Sequence, residues 1–245
     1  MAQDYVRERT DSGEDKDDML GSFLRQGMTP LQAEAEILTQ LSAGTDSNSV
    51  ALRAIFLHVF TSPQAYNKLQ AEIDNAAASG LISNPITNTE SLKLPYLDAC
   101  IREGMRIWPP FTGLTTKKIN QGGEVIKGTF IPGGTSIATS FWGFQRNPVF
   151  GKDVEAFRPE RWIEAGPEKR KEMERVNDLV FGSGRWSCLG KTMVLMEMRQ
   201  VIVELMRNFD FTITQPTKPW VSKSYVFMLI EQMPVRISKR VDKSS

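Results

Sequence analysis

The longest periodic stretch begins at Thr29-Pro30-Leu31-Gln32, where Thr29 can cap a helix, Pro30 suits its first position and Gln32 can reach back to the cap. Helical spacing of apolar residues continues to Thr61, which predicts about 33 residues and roughly 50 Å of helix. Its middle, Ala43 to Ser49, sets a glycine and a polar run between two apolar segments. Glycine weakens a helix by about 1 kcal/mol relative to alanine, and Ser or Thr hydroxyls can bond backbone carbonyls, so a local opening is expected there. A solvated face, or two helices separated by a turn, gives the same pattern. Ser62-Pro63 starts a second helix over Pro63 to Ala78, ending near Gly80. A third runs from Pro95 to Ile107, stops before Pro109-Pro110, and carries Glu103 and Arg106 on one face.

Between Thr115 and Ala138, short β-branched segments separated by Gly122-Gly123 and Pro132-Gly133-Gly134 predict a small antiparallel sheet. After Cys188 a helix to about Asn208 bears Met193, Leu195, Met198, Val201, Ile202, Leu205 and Met206 at nearly every angle, and is expected to be buried all round. Tyr225 to Ile230 is an apolar run that fits a buried strand, with Val235-Arg236-Ile237 as its expected partner. The fold class is therefore mainly α with small antiparallel β-sheets.

Two segments depart from this pattern. Residues 1–20 carry Asp4, Glu8, Asp11, Glu14, Asp15, Asp17 and Asp18 with few apolar anchors, and are expected to form a mobile acidic tail ahead of a folded part over 21–245. Glu164 to Arg175 is a run of mixed charge, expected on a solvated surface.

Composition narrows the function classes. The chain has 245 residues, 40% hydrophobic and 24% charged, with a formal net charge of +1, so a globular core is expected and no nucleic-acid partner. Two cysteines, Cys100 and Cys188, are too few for a disulfide framework and point to a reduced, cytosol-facing compartment. The single histidine, His58, takes ordinary His-containing zinc and non-haem iron sites out of contention. No uninterrupted apolar run is long enough for a spanning helix, and the acidic N-terminal stretch is unlike a signal peptide.

The most distinctive stretch is Phe181-Gly182-Ser183-Gly184-Arg185-Trp186-Ser187-Cys188-Leu189-Gly190, which leads directly into the apolar helix. Its glycines allow positive φ and close approach to something flat, and a cysteine at a helix N-terminus can ligate a metal. The alternative is an inert cysteine beside a glycine turn.

The stretch resembles the haem-binding signature of the cytochromes P-450, F-x-x-G-x-R-x-C-x-G, with Phe181, Gly184, Cys188 and Gly190 in register and Trp186 in the arginine position. The resemblance implies a haem cofactor (iron protoporphyrin IX) with the Cys188 thiolate as axial ligand and metal-binding residue. It also places Phe181, Gly184, Trp186 and Gly190 around the cofactor. In the family the arginine contacts a haem propionate, and an indole N–H is a neutral, single-donor substitute. Gly184-Arg185-Trp186 resembles a fungal-type variant, which suggests secondary metabolism.

Three further matches lie in the family's order. Ala43-Gly44-Thr45-Asp46-Ser47 resembles the distal-helix motif (A/G)-G-x-(D/E)-T, implying that Ala43 and Gly44 approach the haem and that Asp46 and Ser47 manage protons, with serine in place of threonine. Glu103 and Arg106 resemble the family's E-x-x-R pair, and Phe157-Arg158-Pro159-Glu160-Arg161-Trp162 resembles the loop whose arginine completes that network through Arg161. The resemblance further makes Phe111, Thr112, Gly113 and Leu114 pocket candidates, although ordinary sheet core explains them as well. Gln145-Arg146 stands where relatives often have His-Arg.

Family members are about twice this long, so the chain looks like a partial cytochrome P-450 fold without the N-terminal half. Full-length relatives are usually anchored to the endoplasmic reticulum. The function implied is a haem-thiolate monooxygenase that oxidises a small organic substrate with dioxygen and electrons from an NADPH-dependent reductase. The rival expectation is a truncated, non-catalytic remnant.

Overall fold

A computed structural model describes residues 2–240, which fall into two compact units divided between Ser47 and Asn48. In the first unit, α1 (Ala2–Ser12) and α2 (Met19–Arg25) occupy the stretch expected to be an unanchored tail. The acidic residues are interleaved with Arg7 and Arg9, and Arg9 bonds Asp18 at 2.8 Å while Asp18 caps α2 through the Gly21 N–H. Val6 and Leu20 are buried together with Ala33, so a few apolar anchors suffice to pack two short helices.

The long helix, α3 (Pro30–Phe60), begins as its cap predicts: the Thr29 N–H donates to Gln32 Oε1 at 2.9 Å and the Gln32 N–H to Thr29 Oγ1 at 3.4 Å. The expected opening at Ala43 to Ser49 does not occur. Thr45 and Ser47 do bond carbonyls one turn back, Leu41 at 2.7 Å and Ala43 at 2.6 Å, but these bonds supplement the helical ladder without replacing it.

In the second unit, α4 (Pro63–Ala78) is capped by Ser62 and closes before Gly80 at φ 69°. A four-residue helix, α5 (Asn88–Ser91), leads to α6 (Pro95–Ile107), almost every residue of which is buried. Leu69 and Ile73 of α4, Leu97 and Ile101 of α6 and Ile55 of α3 form the main core. Gly104 is the tightest crossing: a Cβ there would lie 2.4 Å from Ile55 Cγ1 and 3.0 Å from Ile55 Cα. We expect Gly104→Ala to destabilise the fold by about 1–3 kcal/mol through overpacking. Urea unfolding reads this, and an unchanged midpoint would contradict the crossing.

The expected sheet after α6 is two separate antiparallel pairs: β1 (Thr115–Lys118) with β4 (Ser136–Thr139), and β2 (Glu124–Ile126) with β3 (Thr129–Ile131). Short α7 (Phe141–Phe144) and α8 (Glu160–Glu164) follow, and the charged run forms α9 (Pro167–Asn177), exposed except along an edge marked by Met173 and Asn177. Then comes α10 (Lys191–Asn208), which is not buried all round. Its second half packs Met198, Ile202, Val203 and Met206 into the core against α4 and α6, whereas Leu189 just ahead of it and Met193 in its first turn are exposed. Apolar residues on every face are thus matched by neighbours over only part of its length.

The terminal strands also differ from expectation. The run at 225–230 yields β7 (Met228–Glu231), which pairs with β6 (Val221–Ser224), while β8 (Val235–Lys239) pairs with β5 (Phe209–Ile213). Only Gln232 to Pro234 separates β7 from β8; Gln232 has φ 49° and Pro234 has no N–H for a ladder, so the chain passes into a second sheet without folding back.

Candidate functional site

Glu103 sits at the centre of the most completely bonded cluster. Its side chain is fully buried, as is that of Arg106, and its carboxylate accepts from Arg106 Nε at 2.9 Å and Nη2 at 2.8 Å. It also accepts from Arg161 Nε, the Trp162 indole N–H and the Arg158 backbone N–H, each at 2.9 Å. Arg106 spends its remaining donors on the carbonyls of Gln145, Val154 and Ala156, and Arg161 reaches Phe150 O and Asp153. The helical spacing of Glu103 and Arg106 puts them on one turn, and a carboxylate with five donors balances two buried guanidiniums. The Trp162 and Arg158 contacts were missed in the sequence, where only the arginine of that loop was singled out; no periodicity marks a loop N–H aimed at a distant helix.

The cluster is tied to the cysteinyl loop through Asn177. Its Nδ2 donates to Gln145 Oε1 at 3.1 Å and to Arg102 O at 3.3 Å, and Gln145 Nε2 returns a bond to Asn177 O at 3.1 Å. Directly after Asn177 comes a 3₁₀ turn over Asp178–Phe181, and Gly182 then takes φ 75° where a Cβ would meet Trp186 O at 2.6 Å. Glycine is required there on both counts. The Cys188 N–H donates to Phe181 O at 2.7 Å and closes the loop, leaving the cysteine exposed just before α10. Gly190 passes beside it, its Cβ position 3.8 Å from the sulfur.

Around this thiol the surface is apolar: Trp186 is 67% exposed, Leu189 97% and Met193 57%. Phe181 packs on the core with Lys191 over its ring, and Arg185 stands over the Trp186 ring at 5.0 Å. An exposed thiol, loop glycines that admit close approach, and a bare apolar rim suit a flat apolar group carrying a metal. Among the described residues no three His, Cys, Asp or Glu side chains assemble as a metal site.

The Cytochrome P-450 family model matches residues 3–235. The chain belongs to the cytochrome P-450 family. Its relatives include the cytochrome P-450 monooxygenase ABA1 of Pyricularia oryzae, 44% identical over 93% of this chain and 45% of the relative. The cytochrome P-450 monooxygenase aba1 of Botryotinia fuckeliana is 41% identical over 98% of this chain and 47% of the relative. That of Leptosphaeria maculans, abl1, is 42% identical over 97% and 42%. The chain spans about half the length of these relatives. Cytochromes P-450 hold haem by a cysteine thiolate.

In this cytochrome P-450 chain the other cysteine, Cys100, is fully buried on α6, and burial pushes its thiol well above the ordinary range, so it stays protonated. Ala43, Gly44, Asp46 and Ser47 lie on α3 within the first unit, where nothing lies within 4 Å of a Cβ built at Gly44. The pocket candidates from Phe111 to Leu114 run beside the C-terminal segment: the Thr112 and Gly113 N–H groups both donate to Val226 O, and Phe111 forms a bridge with Phe227. Gly113 is needed for that approach, since a Cβ would sit 3.1 Å from Val226 Cα. Leu114 remains exposed.

His58 donates from Nδ1 to Ala54 O at 2.7 Å and lies against Phe157 and Trp220. Burial lowers its pKa below the ordinary 6.5. The unfolded chain therefore binds a proton at His58 before the folded one does, and stability present above about pH 6.5 declines as pH falls toward the folded value. Because His58 is the only histidine, a His58→Gln variant isolates this slope. Urea midpoints at pH 7.5 and 5.5 should differ more in the parent chain than in the variant, and equal differences would contradict a neutral buried imidazole.

Proposed function

We propose that the complete protein is a haem-thiolate monooxygenase in which the Cys188 sulfur is the axial ligand. The observation that carries this reading is the closed loop that fixes an exposed thiol between Phe181 and Gly190 at the start of α10. Haem held there would supply dioxygen activation, to which a thiolate ligand would lend electron density. Cys188 holds the iron; Phe181, Gly184 and Gly190 shape the approach of the macrocycle, and Trp186 offers its apolar face and one N–H. The Arg–Glu cluster on α6 holds the loop from behind through Gln145 and Asn177 and takes no part in the chemistry.

On α3, Ala43 and Gly44 present little bulk, Ser47 Oγ carries a proton that it can pass on, and Asp46 replenishes it. The Ser47 hydroxyl keeps donor and acceptor capacity without the threonine methyl that restrains its rotamer. The partners of this reading are an NADPH-dependent reductase, dioxygen and a small organic substrate. Among the described residues no helix is long and apolar enough to cross a membrane. We assign the site to the cytosolic side because the chain's two cysteines suit a reduced compartment. The fungal monooxygenase relatives and the Gly184-Arg185-Trp186 variant of the signature support a substrate in secondary metabolism.

Titrating the purified chain with haemin tests the reading. Stoichiometric uptake, with the red-shifted Soret band of a thiolate ligand after reduction under carbon monoxide, is the expected result. A folded chain that takes up no haem would instead support a non-catalytic remnant.

A further inference from the structure

Lys191, the first residue of α10, holds its ammonium 2.8 Å from an Asp178 carboxylate oxygen, and Asp178 is the residue with which the turn leading to Phe181 begins. The pair therefore joins the two ends of the cysteinyl loop, outside the backbone bond from the Cys188 N–H to Phe181 O. The same ammonium lies over the Phe181 ring at 5.4 Å while that ring packs on the core, so the residue whose carbonyl receives the Cys188 N–H is held from both sides. Asp178 also has Arg102 of α6 at 3.9 Å. In the sequence it is the only acidic residue between Glu174 and Glu197, so the loop offers Lys191 no other carboxylate.

The two side chains are 37% and 40% exposed, and an ion pair at such a surface adds little to global stability. A loop opens by itself at far lower cost than the whole fold, however, so a bridge between its ends changes that opening by a large fraction. We propose that Asp178 and Lys191 are positioning residues, forming a clasp that keeps the cysteinyl loop shut and thereby keeps the Cys188 sulfur in its ligating position. The second half of the proposal rests on the haem-thiolate reading above. Asp178 acts through Lys191, and Lys191 acts through the Phe181 ring. Salt weakens such a clasp, because the screening length falls from about 10 Å at 0.1 M to about 3 Å at 1 M.

The test uses the full-length holoenzyme, its Asp178→Asn and Lys191→Met variants and the double variant. Two quantities are read: hydrogen exchange at the Cys188 backbone N–H, and the rate at which the thiolate-type carbon-monoxide band decays in a fixed concentration of urea. Methionine keeps an unbranched body over the Phe181 ring and removes the charge. At 0.1 M salt each single variant should exchange and decay several-fold faster than the parent. The double variant should be no faster than either single one, because its second substitution finds the pair already broken. In 1 M salt the parent should approach the variants. Parent-like exchange in Asp178→Asn, or single effects that multiply in the double variant, would overturn the clasp. Faster exchange with an unchanged decay rate would overturn its role in holding the ligand. Should a variant fail to fold, the salt dependence of exchange in the parent decides. A parent holoenzyme without a thiolate-type band would sink the haem-thiolate reading instead, and exchange at Cys188 would then decide the clasp by itself.

Discussion

Glu103→Gln should cost about 3–5 kcal/mol of folding stability, because it removes the carboxylate shared by two buried guanidiniums: Arg161 keeps Asp153 at 3.0 Å, but Arg106 is left with backbone carbonyls alone. Arg106 and Arg161 both lie within hydrogen-bond reach of the carboxylate, with side chains 0% and 2% exposed, so water cannot take over the lost role. The neutral amide retains one acceptor oxygen but turns an NH₂ group toward the donors of the other, which are Arg106 Nη2, Arg158 and Arg161 at one oxygen and Arg106 Nε and Trp162 at the second. Domains are typically stable by about 5–15 kcal/mol, so the loss is a large share of the total. Urea unfolding measures it, and a loss below about 1 kcal/mol would mean that the cluster is less buried in solution than the geometry requires.

The effect should also reach the cysteinyl loop. Gln145 accepts from Arg106 through its backbone carbonyl and holds Asn177 through its side chain, and Asn177 leads directly into the turn that ends at Phe181. Loosening Arg106 therefore frees the carbonyl that anchors the Cys188 N–H. Trp162→Phe deletes one bond to the carboxylate and leaves a small void where the buried indole was, so its cost should be at least about 1.5–3 kcal/mol, the range for a hydrogen bond to a charged group.

The sequence made some of this visible and hid the rest for physical reasons. Thr29 and Ser62, each followed by proline, mark helix starts because the cap bond and the fixed proline φ act within a few residues. Glu103 and Arg106 share a face by helical period alone. Strand partners are a different matter: β7 turns away from β8 because of the backbone at Gln232 and Pro234, and the apolar pattern of Tyr225 to Ile230 is indifferent to which neighbour pairs with it. The two short helices at the acidic start of the chain were hidden because they rest on three apolar residues, Val6, Leu20 and Ala33, that lie far apart in sequence and meet only on folding. Glu197 attracted no notice either, since a glutamate on an apolar helix looks like a solvated position until Asn48 is found against it.

Cys188 is the residue on which the functional reading turns, and its substitution should have the largest functional effect. Cys188→Ala removes the only exposed cysteine, while the backbone bond from residue 188 to Phe181 O does not involve the side chain, so the loop should keep its shape. Cys100→Ala, by contrast, empties a small volume in the core and should cost stability without touching the ligand. The two variants separate a fault in folding from a fault in ligation.

The most direct measurement is the reduced, carbon-monoxide-bound absorption spectrum of the haem-loaded chain and of these two variants. The expected result is a thiolate-type Soret band in the parent and in Cys100→Ala and its complete loss in Cys188→Ala. Retention of that band in a folded Cys188→Ala protein would contradict ligation by this sulfur.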